Sequence, residues 1–123
     1  MRWFALLLAL TACSQKPDVV VYCSLDQVHA EPIIVLFEQQ SGLEVEAHFD
    51  VERNKTVGLV NRLFAESSQP YADVYWNNEV AHTIRLKRAG LTVAYQSPSA
   101  AGIPANFKDP QPLWTGFAAR ARI

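Results

Sequence analysis

Three polar segments of the sequence contain residue types that bind small ligands, and each segment follows a short apolar run. The candidate ligand-binding residues in these segments are Ser24, Asp26, Gln27, Arg53, Trp76, Asn77, Asn78 and Glu79. Carboxylate oxygens of Asp26 and Glu79 could bind a hard cation such as Fe³⁺. Arg53, together with backbone N–H groups at helix starts, could instead bind an anion. The chemistry indicated is therefore the binding of a small charged ligand.

The same side chains also have ordinary structural explanations. Asp26 could be a turn or helix-capping residue, and Glu79 could complement the positive end of a helix. Asn77 and Asn78 could cap a helix, and Arg53 is typical of a solvated loop charge. The sequence leaves both interpretations open.

The sequence pattern predicts three strands, each followed by a helix. These strands and helices would position the polar segments. The predicted strands cover residues 18–22, 43–49 and 72–76. The first is a β-branched run without polar alternation, as in strands that are buried on both faces. Alternating strands and helices predict an α/β fold with a mostly parallel sheet flanked by helices. Because parallel strands share one carboxyl edge, we expect the three polar segments to meet there.

Helical spacing predicts where the helices begin, end and face the core. Pro32 suits the first turn of the first helix, Gly42 suits its end, and the second helix is predicted over 57–67. The side chains predicted to face the core are Ile33, Ile34, Phe37, Val57, Val60, Leu63, Phe64, Ala81, Ile84 and Arg88, with Leu86 near this face. Prolines predict an ordered loop over 96–112, and residues 114–123 predict the start of a further strand.

The first residues predict export and lipid anchoring. Arg2 precedes an apolar run over 3–10, which is far shorter than the roughly 20 residues that span a bilayer. The run ends in Leu-Thr-Ala-Cys13, which resembles the bacterial lipoprotein box, whose cysteine is acylated after cleavage. We expect a signal peptide over 1–12, lipidation at Cys13 and a tether over 13–17. The chain would then lie on the periplasmic side of the bacterial inner membrane, held by its lipid anchor.

Composition and missing motifs argue against several function classes. The net charge of -1 does not provide the strongly basic face that nucleic acids require, so no nucleic-acid partner is expected. The sequence has no glycine-rich phosphate loop after the first strand, no Gly-x-Ser-x-Gly elbow and no Cys-x-x-Cys motif. Cys23 is expected to be a small buried thiol. We therefore expect a protein that is not an enzyme.

Longer stretches of the sequence resemble the ferric-iron-type solute-binding proteins of bacterial ABC importers. The resemblance rests on residues 20–27, 31–33, 37–45, 55–63, 72–79, 86–91 and 114–120. It implies a partial N-terminal lobe of a type II periplasmic-binding-protein fold, in which two α/β lobes close on the ligand. Members of that family are longer than this chain, so we expect residues 18–123 to be an incomplete first lobe.

The resemblance also implies a function. Iron-binding members use a histidine of the first loop, a glutamate of the third loop and two tyrosines of the second lobe. Asp26 lies at the histidine position, and Asn78 lies at the glutamate position with Glu79 beside it. The implied protein is a monomeric substrate-binding component that captures ferric iron or an iron complex and delivers it to the importer's permease.

Two alternatives remain open at the level of the sequence. The ligand could be a small organic or phosphorus-containing anion rather than iron. The chain could also belong to another class, either as a self-contained small α/β enzyme or signalling domain, or as a non-functional truncated product.

Overall fold

The computed structural model describes residues 16–50 and 57–119, and a three-stranded parallel sheet forms its centre. The strands are β1 (Val19–Cys23), β2 (Val45–Phe49) and β3 (Val74–Trp76), in the order β2-β1-β3. The predicted α/β class with a parallel sheet is confirmed.

The second and third strands begin two residues later than predicted. The Glu44 N–H donates to the carboxylate of Asp18 at 2.9 Å instead of to a neighbouring strand. Likewise, the Asp73 carboxylate accepts the N–H of Val20 at 2.9 Å. Because side chains take over the hydrogen bonds at this edge, the regular strand pairing starts only beyond these residues.

Helices cover both faces of the sheet. They are α1 (Gln27–Ser41), α2 (Val57–Ala65) and α3 (Val80–Arg88). Since β2 and β3 flank β1 on opposite sides, right-handed crossovers place α1 and α2 on opposite faces. Two buried clusters agree with this arrangement. Val20, Tyr22 and Leu59 form the cluster on the α2 face, and Val21, Cys23 and Ala30 form the cluster on the α1 face.

Helix α1 begins earlier than the sequence suggested. The backbone carbonyl of Asp26 accepts the N–H groups of His29 and Ala30 at 2.9 and 3.1 Å, so the helix starts at Gln27. Pro32 therefore lies inside the helix, and its predicted place in the first turn is wrong. The predicted end is confirmed, since Gly42 has a φ of 73° and donates its N–H to Glu38.

The buried faces of all three helices also differ in part from the prediction. In α1, Ala30 is buried, whereas Ile33 and Phe37 are 53% and 44% exposed. The row of side chains that faces the sheet starts at Ala30 and continues four and eight residues later at Ile34 and Glu38. The Glu38 carboxylate accepts the N–H of Val45. The predicted core positions Ile33 and Phe37 are therefore wrong.

In α2, Val60 is fully buried and Leu63 packs on the core as predicted, but Val57 at the first turn is exposed. In α3, Leu86 is buried, whereas the predicted core residues Ala81 and Arg88 are exposed. The reason is that α3 packs against α2, with the guanidinium of Arg85 5.0 Å from the ring centre of Phe64.

The segment after α3 is an ordered loop, as predicted. It contains two short 3₁₀ turns, Pro98–Ala100 and Ala105–Phe107, and one antiparallel bridge between Lys108 and Thr115. The strand predicted from residue 114 is wrong for the described part, because Gly116 hydrogen-bonds back to Phe107 and closes a local loop. No helix among residues 16–50 and 57–119 is long and apolar enough to cross a membrane.

Candidate functional site

The carboxyl ends of β1 and β3 form a topological switch point. These strands are neighbours, but β1 leads to α1 on one face of the sheet, and β3 leads to α3, which packs with α2 on the other. Ligands of open α/β sheets bind in the crevice that such a divergence creates. The Ser24 N–H donates to the carbonyl of Trp76 at 2.9 Å, so the first and third polar segments are directly joined there.

The second polar segment reaches the same edge. The Asp50 N–H donates to the carbonyl of Cys23 at 3.3 Å, which places the end of β2 beside the end of β1. The Asp50 carboxylate accepts the N–H of Leu59 and so occupies the start of α2. Arg53, the predicted ligand-binding residue of this segment, lies outside the described residues. Cys13, the predicted lipidation site, also lies outside them.

The predicted ligand-binding residues of the first segment differ in how far they are exposed to solvent. Ser24 is only 4% exposed. Asp26 is the exposed N-cap residue of α1, and Gln27 is the exposed first residue of that helix, with its amide nitrogen 3.4 Å from the carboxylate of Glu31. The start of α1, with its outward-facing N–H groups, therefore lies at the crevice.

The predicted ligand-binding residues of the third segment lie around the start of α3. Glu79 is the N-cap residue of α3, and Asn78 precedes it in an exposed turn. Asn77 accepts the N–H of Glu79 at 3.0 Å and donates to the hydroxyl of Thr83 at 2.9 Å. Trp76 packs against the buried cluster on the α1 face of the sheet. The Asn77 side chain thus holds the bend that leads into α3, while Asn78 and Glu79 are exposed beside it.

No protein-family model matches the chain. Solved structures do, including apo ferric ion-binding protein A of Pasteurella haemolytica, which is 28% identical with a TM-score of 0.67 over 80% of this chain and 29% of that one. Ferric iron-binding protein A of Mannheimia haemolytica, in an open conformation, is 27% identical with a TM-score of 0.67 over 80% and 30%.

The periplasmic binding protein AfuA of Actinobacillus pleuropneumoniae, with exogenous fructose-6-phosphate bound, is a further match. It is 28% identical with a TM-score of 0.66, over 75% of this chain and 28% of that one. The chain has the fold of part of a periplasmic-binding-protein lobe. The resemblance predicted from the sequence is confirmed, and the lobe spans between 28% and 30% of the length of these three structures.

The lobe contains one further candidate site residue that the sequence patterns did not indicate. The hydroxyl of Tyr75 lies 3.1 Å from that of Ser24, at the carboxyl edge. Burial raises the pKa of Tyr75; the hydrogen bond with Ser24 opposes this, and the charges of Asp50 and Glu79 add to the rise. These groups belong to all three segments, so Tyr75 lies where they converge. Its position immediately before the third segment was the available sequence signal.

Cys23 of the lobe is a buried thiol, as expected. It is fully buried among the α1-face cluster, and its sulfur lies 3.9 Å from the carbonyl of Leu25. Burial raises the pKa of the Cys23 thiol, which keeps it protonated and unreactive at neutral pH.

The two carboxylates predicted as metal-binding groups lie at the starts of two helices. Asp26 is the N-cap residue of α1, and Glu79 is the N-cap residue of α3. Across residues 16–50 and 57–119, no group of three or more histidine, cysteine, aspartate or glutamate side chains could hold a metal ion. The arrangement combines two negative side chains with two positive helix ends.

Proposed function

We propose that this lobe is part of the substrate-binding component of an ABC importer and that its cargo is ferric iron or an iron complex. The observation that carries the proposal is the placement of Asp26 and Glu79, one at each helix start that borders the switch point. Two carboxylates favour a hard cation, while the helix N–H groups favour an accompanying anion. The names of two structural neighbours, which describe ferric-ion binding, support the same cargo.

The proposed component is not an enzyme, and it works as a monomer with the importer's permease. Its place is the periplasmic side of the inner membrane, where a lipid on Cys13 anchors it. The periplasmic binding protein among the neighbours supports the compartment.

The lipid anchor can be tested in bacterial cells with a clickable fatty acid. The Cys13→Ser variant should lose both the fatty-acid label and membrane association. Cys23→Ser is the matched control, because Cys23 is buried in the sheet, and it should retain both. Equal labelling of the parent chain and Cys13→Ser would exclude the anchor.

The cargo can be tested by NMR titration of the isotope-labelled 123-residue chain with ferric nitrilotriacetate. Bound Fe³⁺ should broaden amide signals around Asp26 and Glu79 first, since its paramagnetism acts over short distances. Asp26→Asn and Glu79→Gln should each weaken binding about tenfold, which corresponds to about 1.4 kcal/mol. Glu44→Gln, an exposed glutamate at the opposite edge of the sheet, is the matched control and should have no effect. Broadening that is centred elsewhere would overturn the iron proposal.

A phosphorus-containing anion is the second candidate cargo. The starts of α1 and α3 and the hydroxyls of Ser24 and Tyr75 favour it, as does the neighbour that holds fructose-6-phosphate.

The two cargoes predict opposite effects of the same substitutions. Asp26→Asn and Glu79→Gln remove negative charge, so they should weaken ferric binding but strengthen binding of fructose-6-phosphate. The sign of the change in dissociation constant therefore identifies the cargo.

A further inference from the structure

The position of Tyr75 gives it access to the crevice. In the sheet, Tyr75 pairs with Tyr22, whereas Ser24 lies two residues further toward the carboxyl end of β1. Because the hydroxyls of Tyr75 and Ser24 are 3.1 Å apart, the Tyr75 ring leans along the strand toward the carboxyl edge. Its hydroxyl therefore lies at the carboxyl edge, where the first and third polar segments meet.

The core fixes that hydroxyl in place. The Tyr75 ring packs against the cluster of Val20, Tyr22 and Leu59 on the α2 face. Ser24 is 4% exposed, and its backbone N–H is bonded to Trp76. Both hydroxyls are thus held before any ligand arrives, which lowers the entropy cost of binding.

The hydroxyl pair has a hydrogen left to donate. Ser24 and Tyr75 carry one O–H hydrogen each, and the bond between them uses one of the two. We infer that the Ser24–Tyr75 pair donates its second hydrogen to an oxyanion oxygen of the ligand. This inference rests on the proposed function and narrows the ligand to one with an acceptor oxygen at this point, from either a free phosphate or the chelate of an iron complex.

The electrostatic surroundings keep the Tyr75 hydroxyl protonated. Burial raises the pKa of Tyr75, and the nearby negative charges of Asp50 and Glu79 add to that rise. The hydroxyl therefore has a hydrogen to donate at neutral pH.

The test is Tyr75→Phe, which keeps the ring and removes the hydroxyl. The labelled 123-residue chain is titrated with inorganic phosphate and, separately, with ferric nitrilotriacetate. Loss of one hydrogen bond to a charged oxygen should raise the dissociation constant about tenfold. Ser24→Ala should have a similar effect, and the double variant should lose little more, because the pair donates as a unit. A loss confined to phosphate identifies a free phosphate, and a loss confined to the ferric complex identifies its chelate.

Tyr22→Phe is the matched control, because Tyr22 is the neighbouring tyrosine on the same face and its hydroxyl points to Glu66. Its affinities should equal those of the parent. The inference is overturned if Tyr75→Phe binds both probes within about twofold of the parent, or if Tyr22→Phe loses as much affinity as Tyr75→Phe. In either case the proposed function stands as long as the Asp26 and Glu79 variants change binding. If the parent binds neither probe, the proposed function fails as well.

Discussion

Two tyrosines that lie side by side on the α2 face have opposite surroundings. Tyr22 is fully buried, and its hydroxyl lies 3.0 and 2.9 Å from the two carboxylate oxygens of Glu66. The guanidinium of Arg62 lies 4.6 Å from the centre of its ring. Tyr75, its partner in register, reaches the carboxyl edge and contacts Ser24 instead.

The surroundings of Tyr22 form a closed polar network. We use the name Tyr22 network for the residues Tyr22, Glu46, His48, Arg62, Glu66 and Tyr71. In it, Arg62 donates to Glu66 at 2.7 Å, and Tyr71 donates to Glu46 at 2.9 Å. Burial opposes ionisation of Glu66, but hydrogen bonds from Arg62 and Tyr22 outweigh it and lower its pKa.

The comparison separates structural polar groups from those available to a ligand. In the Tyr22 network, donors and acceptors satisfy one another, so their main effect is on stability. At the carboxyl edge, helix starts, carboxylates and the hydroxyl pair of Ser24 and Tyr75 converge on a crevice between loops. Composition alone does not distinguish the two regions, since both contain acids and tyrosines.

The largest expected effect on stability is that of Tyr22→Phe. It removes a buried donor from the Glu66 carboxylate, which should lower the free energy of unfolding by about 2 kcal/mol. Tyr75→Phe breaks only a bond between neutral hydroxyls and should cost less than about 1 kcal/mol. Urea unfolding of both variants measures the difference. A larger loss in Tyr75→Phe would break the comparison.

The second effect is a loss of stability at alkaline pH. Burial and the hydrogen bond to Glu66 raise the pKa of Tyr22 from 10.0 to about 12. Because the folded state holds this proton more tightly, the stabilisation is complete below the unfolded-state pKa of about 10 and is lost as pH rises toward 12. Tyr22→Phe should show a shallower decline in unfolding free energy over this range. An unchanged decline in that variant would contradict the assignment.

The third effect concerns Asn77, a predicted ligand-binding residue whose side chain also has two structural hydrogen bonds. It bonds to the N–H of Glu79 and to the hydroxyl of Thr83. Asn77→Ala should therefore lower stability by about 1 kcal/mol. Ligand affinity should change less than in Glu79→Gln. If affinity falls while the urea midpoint stays constant, Asn77 belongs with the ligand-binding group.

The smallest expected effect is that of Gln27→Ala. Gln27 is exposed, and its amide makes only a long 3.4 Å contact with Glu31 among the described residues. The substitution should change stability by less than about 0.5 kcal/mol. Any measurable loss of phosphate affinity would therefore report a contact with the ligand, which would sharpen the boundary of the site.

Much of the fold was predictable because local patterns are strong there. The β-branched run of β1 and the glycine at the end of α1 gave the strand and the helix end correctly. The prediction for the α1 face was correct at Ile34 but wrong at Ile33 and Phe37, because the sheet-facing row includes Ala30 and Glu38, which are not large apolar residues. Helical periodicity identifies a stripe but not which side of it meets a neighbour.

The candidate site was predictable in position but not in detail. Residues after parallel strands must share one edge, so the meeting of the polar segments followed from the strand pattern. The inclusion of Tyr75 did not follow, because strand alternation does not reveal whether a side chain leans toward a loop or away from it. The hydrogen bond between the Asn77 side chain and the N–H of Glu79 depended on the exact start of α3.

The sequence by itself determined the succession of strands and helices along the chain, the α/β class and the residue types at the carboxyl edge. These depend on short-range spacing and on the geometry of parallel strands. Only the tertiary structure decided the hydrogen-bond partners of the two neighbouring tyrosines. Both tyrosines lie on one face of the sheet. The hydroxyl of Tyr22 bonds to Glu66, which is 44 positions away in the sequence, whereas the hydroxyl of Tyr75 bonds to Ser24. Contacts between distant segments select hydrogen-bond partners, and no local pattern encodes that choice.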